Sequence, residues 1–284
     1  MSRLNTNMIE ISSKQLPGLP LSATQVMQVC NDPCAAAIDV ERALAVDVAM
    51  TARVLSLANS AAYGFKRTLG SVREAIVALG LLRVRALATA SSMAPLFQDR
   101  GGLEGRRLWQ HALGCALWAQ RFAGDHGLPR REQIFTAGLM HDVGLLVLNL
   151  LYPDLLLQAV SQAEALGTDL HEAEQDVLGT SHAEVGSKVC TKWRVPLEIS
   201  RAILGHHTVL IPRVLECSVV TLADTLAQHS GWSNFAWEHQ PQLSELDPEH
   251  YQEFGMTLAD LEAFVDRRRD AVASELRAFM NSVV

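Results

Sequence analysis

The sequence predicts an all-α protein, a multi-helix core preceded by a helical bundle. Apolar residues recur at spacings of three and four along nearly the whole chain. No segment sustains the alternation of a strand. Gly, Pro, Asp or Ser interrupts each periodic stretch. At 284 residues, 49% apolar and 19% charged, the chain can bury a large core and reads as ordered.

The helices follow in order. Leu16-Pro-Gly-Leu-Pro20 imposes an extended approach. Ser22 is positioned to cap a helix carrying Val26, Met27 and Val29, which stops near Asn31-Asp-Pro33. Asp39 is positioned to cap the next, through Val40, Leu44 and Ala45. A third spans about 49–61, with Val54, Leu55 and Ala58 inward. Ser71 opens a fourth through Val72, Ala75, Ile76 and Leu79, and Gly80 closes it. A fifth carries Val84, Leu87 and Met93. Gln98-Asp-Arg-Gly-Gly102 then reads as a hinge. Periodicity predicts further helices over 106–123, 133–151, 152–167, 171–178, 182–193, 197–206 and 213–228. The stretch 229–247 is polar yet holds Trp232, Phe235 and Trp237, which marks an ordered loop. Thr257 caps a closing helix to 280, with Leu258, Leu261, Val265, Val272, Leu276 and Phe279 near one face.

The formal charge of −7 gives no general attraction to nucleic acid or to anionic membranes. Arg67, Arg73, Arg83 and Arg85 form a local exception that reads as solvated helix faces. No signal core opens the chain, and the greasiest run, 143–152, is too short to span a bilayer. Cys30, Cys34, Cys115, Cys190 and Cys217 form no Cys-x-x-Cys pair and read as reduced, buried side chains of a cytoplasmic protein.

Chemistry concentrates in one ordered series: His111, His141-Asp142, His182, His206-His207 and Asp224. Imidazole and carboxylate ligate divalent ions, so these seven predict one or two ions drawn from Fe, Mn, Zn or Mg. Asp142 and Asp224 sit in apolar stretches, where an unpartnered carboxylate is costly. A buried His–Asp hydrogen bond is the competing explanation for 141–142. The helix dipole competes for His206-His207, because it favours cationic histidine at a helix C-terminus. Glu172 and Glu174 are placed to orient a ligating imidazole by hydrogen bonding.

The order His…His-Asp…His…His-His…Asp resembles the HD superfamily of metal-dependent phosphohydrolases and its HD-GYP branch. More specific segments resemble the HDOD domain, the HD-related output domain of bacterial signalling proteins. They are Leu16-Pro-Gly-Leu-Pro20, Asp47-Val-Ala-Met-Thr-Ala-Arg-Val-Leu-Ser-Leu-Ala-Asn59-Ser60-Ala-Ala-Tyr63-Gly64, Ser71 to Gly80, Ala137 to Gly144, Ser181 to Gly186, and Ala202-Ile-Leu-Gly-His206-His207. The resemblance implies an HDOD unit at about 9–232, with an N-terminal bundle at 9–97 and an HD-like core at 103–232. A loop and helical extension occupy 233–284.

Two departures from active HD-GYP enzymes stand out. Leu145 occupies the position of their lysine, and Thr208-Val-Leu-Ile-Pro212 has no Gly-Tyr-Pro. A lysine can pair with substrate phosphate; leucine cannot. The expected function is therefore a regulatory output module, non-catalytic but metal-holding, receiving its input from signalling protein partners. The alternative is a metal-dependent phosphohydrolase of a nucleotide or cyclic dinucleotide. Nucleic-acid binding ranks last.

Overall fold

A computed structural model describes residues 14–99, 103–208 and 214–282. Five helices form the N-terminal bundle: α1 (Leu21–Asn31), α2 (Ala37–Ala45), α3 (Val48–Ala58), α4 (Val72–Leu79) and α5 (Leu81–Met93). Eight build the core: α6 (Gly105–Asp125), α7 (Arg131–Met140), α8 (Val143–Leu151), α9 (Pro153–Leu166), α10 (Leu170–Leu178), α11 (His182–Trp193), α12 (Leu197–Gly205) and α13 (Leu215–His229). The short α14 (Glu249–Gln252) and the long α15 (Leu258–Ser282) close the chain. There is no strand among the described residues, and the all-α class stands.

The central element is α6. Its small residues let α7 and α13 approach closely: a Cβ on Gly138 of α7 would lie 3.0 Å from the Ala116 backbone. Trp118 and Phe122 of α6 meet Phe264 of α15 with ring centroids 5.8 and 5.6 Å apart. All three rings are buried, each worth roughly 1.5–3 kcal/mol by transfer.

Local signals account for most helix ends. Ser71 accepts from the Glu74 amide and Ser181 from that of Glu184, while Gly80 takes the positive φ of 85° that ends α4. Two caps are corrected. Ser22 lies inside α1, which starts after Pro20 without a side-chain cap. Asp39 is already helical and reaches back to accept from the Ala36 amide at 2.8 Å. Cys34 is exposed, and the other four cysteines are buried and free. Much of the Gln98–Gly102 hinge, the Val209–Pro212 part of the segment lacking Gly-Tyr-Pro, and the N-terminal thirteen residues lie outside the described residues.

The single helix expected over 133–151 is two helices, broken at His141-Asp142. Taken whole, Arg131–Leu151 has the length and apolarity of a membrane span, but it is mostly buried in the protein. It is a core element.

Arg83 and Arg85 are not solvated. Arg85 is 3% exposed and donates to Glu132 and to the Ala35 carbonyl. Arg83 donates to both oxygens of the buried Glu275 carboxylate on α15, at 2.7 and 2.9 Å. Tyr63 and Arg121 reach the same carboxylate, each at 2.7 Å. One acid thus joins the bundle, α6 and α15.

Candidate metal centre

The break between α7 and α8 builds the centre. Successive helical residues diverge by about 100°, so a continuous helix could not aim both His141 and Asp142 inward. Asp142 leaves the helix at φ −100°, ψ 15°, and both side chains turn to one point. Gly144 makes room: a Cβ there would fall 1.8 Å from the His182 carbonyl oxygen, so α8 meets the start of α11 only because residue 144 is glycine.

All seven predicted residues converge, in two groups that share Asp142. Its Oδ2 lies 3.1 Å from His141 Nε2 and 3.5 Å from His111 Nε2. Asp224 Oδ1 is 3.1 Å from His111 Nε2 and 3.8 Å from His141 Nε2. On the other side, Asp142 Oδ1 lies 3.3 Å from His182 Nε2 and 3.5 Å from His206 Nε2. His207 Nε2 is 3.0 Å from His182 Nε2. Within the triad His111, His141 and Asp142, and within the quartet Asp142, His182, His206 and His207, the ligand atoms all lie within 4.8 Å of one another.

The imidazole tautomers decide whether this set suits an ion. His111 Nδ1 donates to the Trp232 carbonyl at 2.6 Å, His141 Nδ1 to Gly138 at 2.7 Å and His206 Nδ1 to Ile203 at 2.6 Å. Carbonyls only accept, so each ring carries a proton on Nδ1 and, when neutral, aims its Nε2 lone pair inward. His182 Nδ1 is held 2.6 Å from the Glu174 carboxylate, which is fully buried. The lone pairs of His111 and His141 face each other at 3.0 Å. A metal ion or a proton on one ring relieves that contact, and such outward anchoring is the usual support of metal-ligating histidine. The residues fit a divalent ion on each side of Asp142.

The carboxylates also favour a proton on two of these rings, in competition with an ion. Burial opposes charge on His141, yet Asp142 prevails and holds its pKa well above the usual value. Burial likewise opposes charge on His182, and Glu174 raises it to about 9. Asp142 and Asp224 are held far below the usual carboxylate range, against burial, by His141 and His111 respectively. Burial pushes His206 and His207 down, against the competing helix-dipole explanation of that pair. Glu172 is corrected: it is exposed, and only Glu174 supports an imidazole.

A cavity of about 420 Å³ opens on the centre, with Leu145, Asp169, Trp237 and Glu238 in its wall. Sequence reasoning missed part of this wall. Asn234 donates to Asp142 Oδ2, and burial pushes Glu238 up to about 7. Both come from the aromatic loop after α13, whose only sequence signal was its three large rings in a polar stretch.

The family model of the HDOD domain matches residues 16–209. The chain belongs to the HDOD family. An HDOD domain protein of unknown function from Geobacter sulfurreducens superposes with a TM-score of 0.80 at 29% identity, over 93% of this chain and 92% of that one. A candidate phosphohydrolase from Shewanella amazonensis SB2B shares the fold, with a TM-score of 0.77 at 23% identity over 94% and 96% of the two chains. An uncharacterized protein of Treponema pallidum (strain Nichols) is 25% identical over 195 residues, 68% of this HDOD chain. The match spans only 37% of that curated relative. The loop carrying Asn234 and Glu238 lies beyond the matched HDOD segment.

Proposed function

We propose that this HDOD protein is a regulatory module of bacterial signal transduction whose core holds one or two divalent ions without hydrolysing phosphoesters. One observation carries the reading: a full ligand set faces cavities with no Lys or Arg among their described lining residues. The first cavity presents Glu164, Asp169 and Glu238 beside Leu145. A second, of about 330 Å³, borders His206 and His207 and presents Asp247, Glu249 and Glu253. Two like charges 4 Å apart repel by roughly 1 kcal/mol even in water, and more in a partly buried site. A phosphodiester entering here meets carboxylates and no guanidinium or ammonium. A bound ion would supply Lewis acidity and an acidified water; the chain's residues hold that ion but leave the phosphate without a grip.

Input through protein partners is supported by Leu21, Val46, Val48 and Val77, large apolar side chains exposed on the bundle. The last helix does not support it, since its apolar face is covered by α6 and α3.

The test is metal analysis of protein loaded with Fe or Mn, paired with turnover assays on nucleotides and cyclic dinucleotides. Retained metal without multiple turnover is expected. Turnover of a phosphoester, abolished by Asp142→Ala, would establish the hydrolase instead.

A further inference from the structure

The guanidiniums that close the fold also line a separate cavity of about 230 Å³. Its walls are Leu79, Leu82 and Arg83 near the α4–α5 junction, Gln120, Arg121, Gly124 and Asp125 of α6, Arg131 and Glu132 of α7, and Arg268 of α15. No residue of the metal centre takes part. Arg121 is ten residues beyond His111 on α6, roughly 15 Å along the helix.

The charges here do not balance. Arg83 and Arg121 share Glu275, Arg85 takes Glu132, and Arg268 grips Asp125 with two nitrogens. Arg131 makes only a 3.4 Å contact to the Leu128 carbonyl and has no carboxylate among the described residues. Four guanidiniums therefore line the cavity against two lining carboxylates, Asp125 and Glu132, with Glu275 shared by Arg83 and Arg121, within a chain of formal charge −7. Arg121 Nε is buried with no hydrogen-bond partner. Burial first, then the neighbouring Arg83, lowers the Arg121 pKa, as expected where cations crowd together. A net positive charge in a small pocket suits the negative charge of a terminal phosphate, and planar guanidinium forks suit its oxygens.

We propose that this junction pocket binds the phosphate group of a small phosphorylated metabolite, with Arg131 and Arg121 as its principal contacts. Because its walls come from the bundle, the core and α15, an occupant would brace all three. Leu79 and Leu82 offer an apolar rim to the rest of the molecule.

The test is calorimetric titration of the metal-loaded protein with pyrophosphate and with AMP. Wild type should bind at least one of them. Arg131→Ala should weaken that binding at least about tenfold, and Arg131→Lys should restore part of it. His182→Ala, which alters only the metal centre, should leave it within about twofold. No binding of either probe at millimolar concentration would overturn the proposal. So would binding that Arg131→Ala spares and His182→Ala removes, since that would locate the phosphate at the metal centre.

Discussion

Two buried polar clusters, both within reach of α6, are built on opposite logic. Around Glu275, donors meet an acceptor: one tyrosine hydroxyl and two guanidiniums converge on a single carboxylate. Around Asp142, acceptors meet acceptors, because the histidine protons are donated outward and Nε2 faces Nε2. In the first cluster both oxygens of the acid have donors, and it joins parts of the fold. The second can be satisfied by a cation, or by protons on Nε2. That contrast separates a structural network from a candidate ligand shell better than burial does, since Glu275 and Asp142 are both buried.

The strongest way to break the contrast is Asp142→Ala. Asp142 contacts histidines of both groups, so its loss should remove metal from each, a drop of more than about a hundredfold in affinity by equilibrium dialysis. Retention of one ion would mean the groups are independent. Glu275→Gln should do the reverse. Removing one partner of a buried ion pair costs about 3 kcal/mol, visible in urea unfolding, while metal content stays unchanged. Metal loss in that variant would mean the two clusters are coupled.

Glu174→Gln sharpens the comparison within the metal cluster. It keeps the shape but weakens the anchor of His182, and losses of this kind run about 10- to 100-fold in metal affinity. The smallest effect concerns Glu238. Burial raises its folded pKa to about 7 from an unfolded value of 4.5. The folded state therefore holds the extra proton between those values. Its contribution to stability is full below pH 4.5, is lost as pH rises toward 7, and is flat above. Melting temperatures in chelator should show that decline in wild type, and Glu238→Gln should lack it.

Much of this was legible in the sequence. The 182–193 helix was bounded correctly because Ser181 and Thr180 offer a cap, and the clustering of the His/Asp series was legible because Asp142 and Asp224 are costly in apolar helices. The break at 141–142 was not legible. Periodicity runs through it, and only the need to aim two adjacent side chains at one point requires it. Arg83 and Arg85 were misjudged because their acidic partners lie 192 and 47 residues away. Asn234 and Glu238 were missed because no local pattern places a loop over a distant centre.

The central claim is tested most directly by anomalous diffraction from crystals of the manganese-loaded protein. Peaks are predicted beside Asp142, bounded by His111, His141 and Asp224 on one side and by His182, His206 and His207 on the other. Crystals that take up manganese only elsewhere, or none at all, would contradict it.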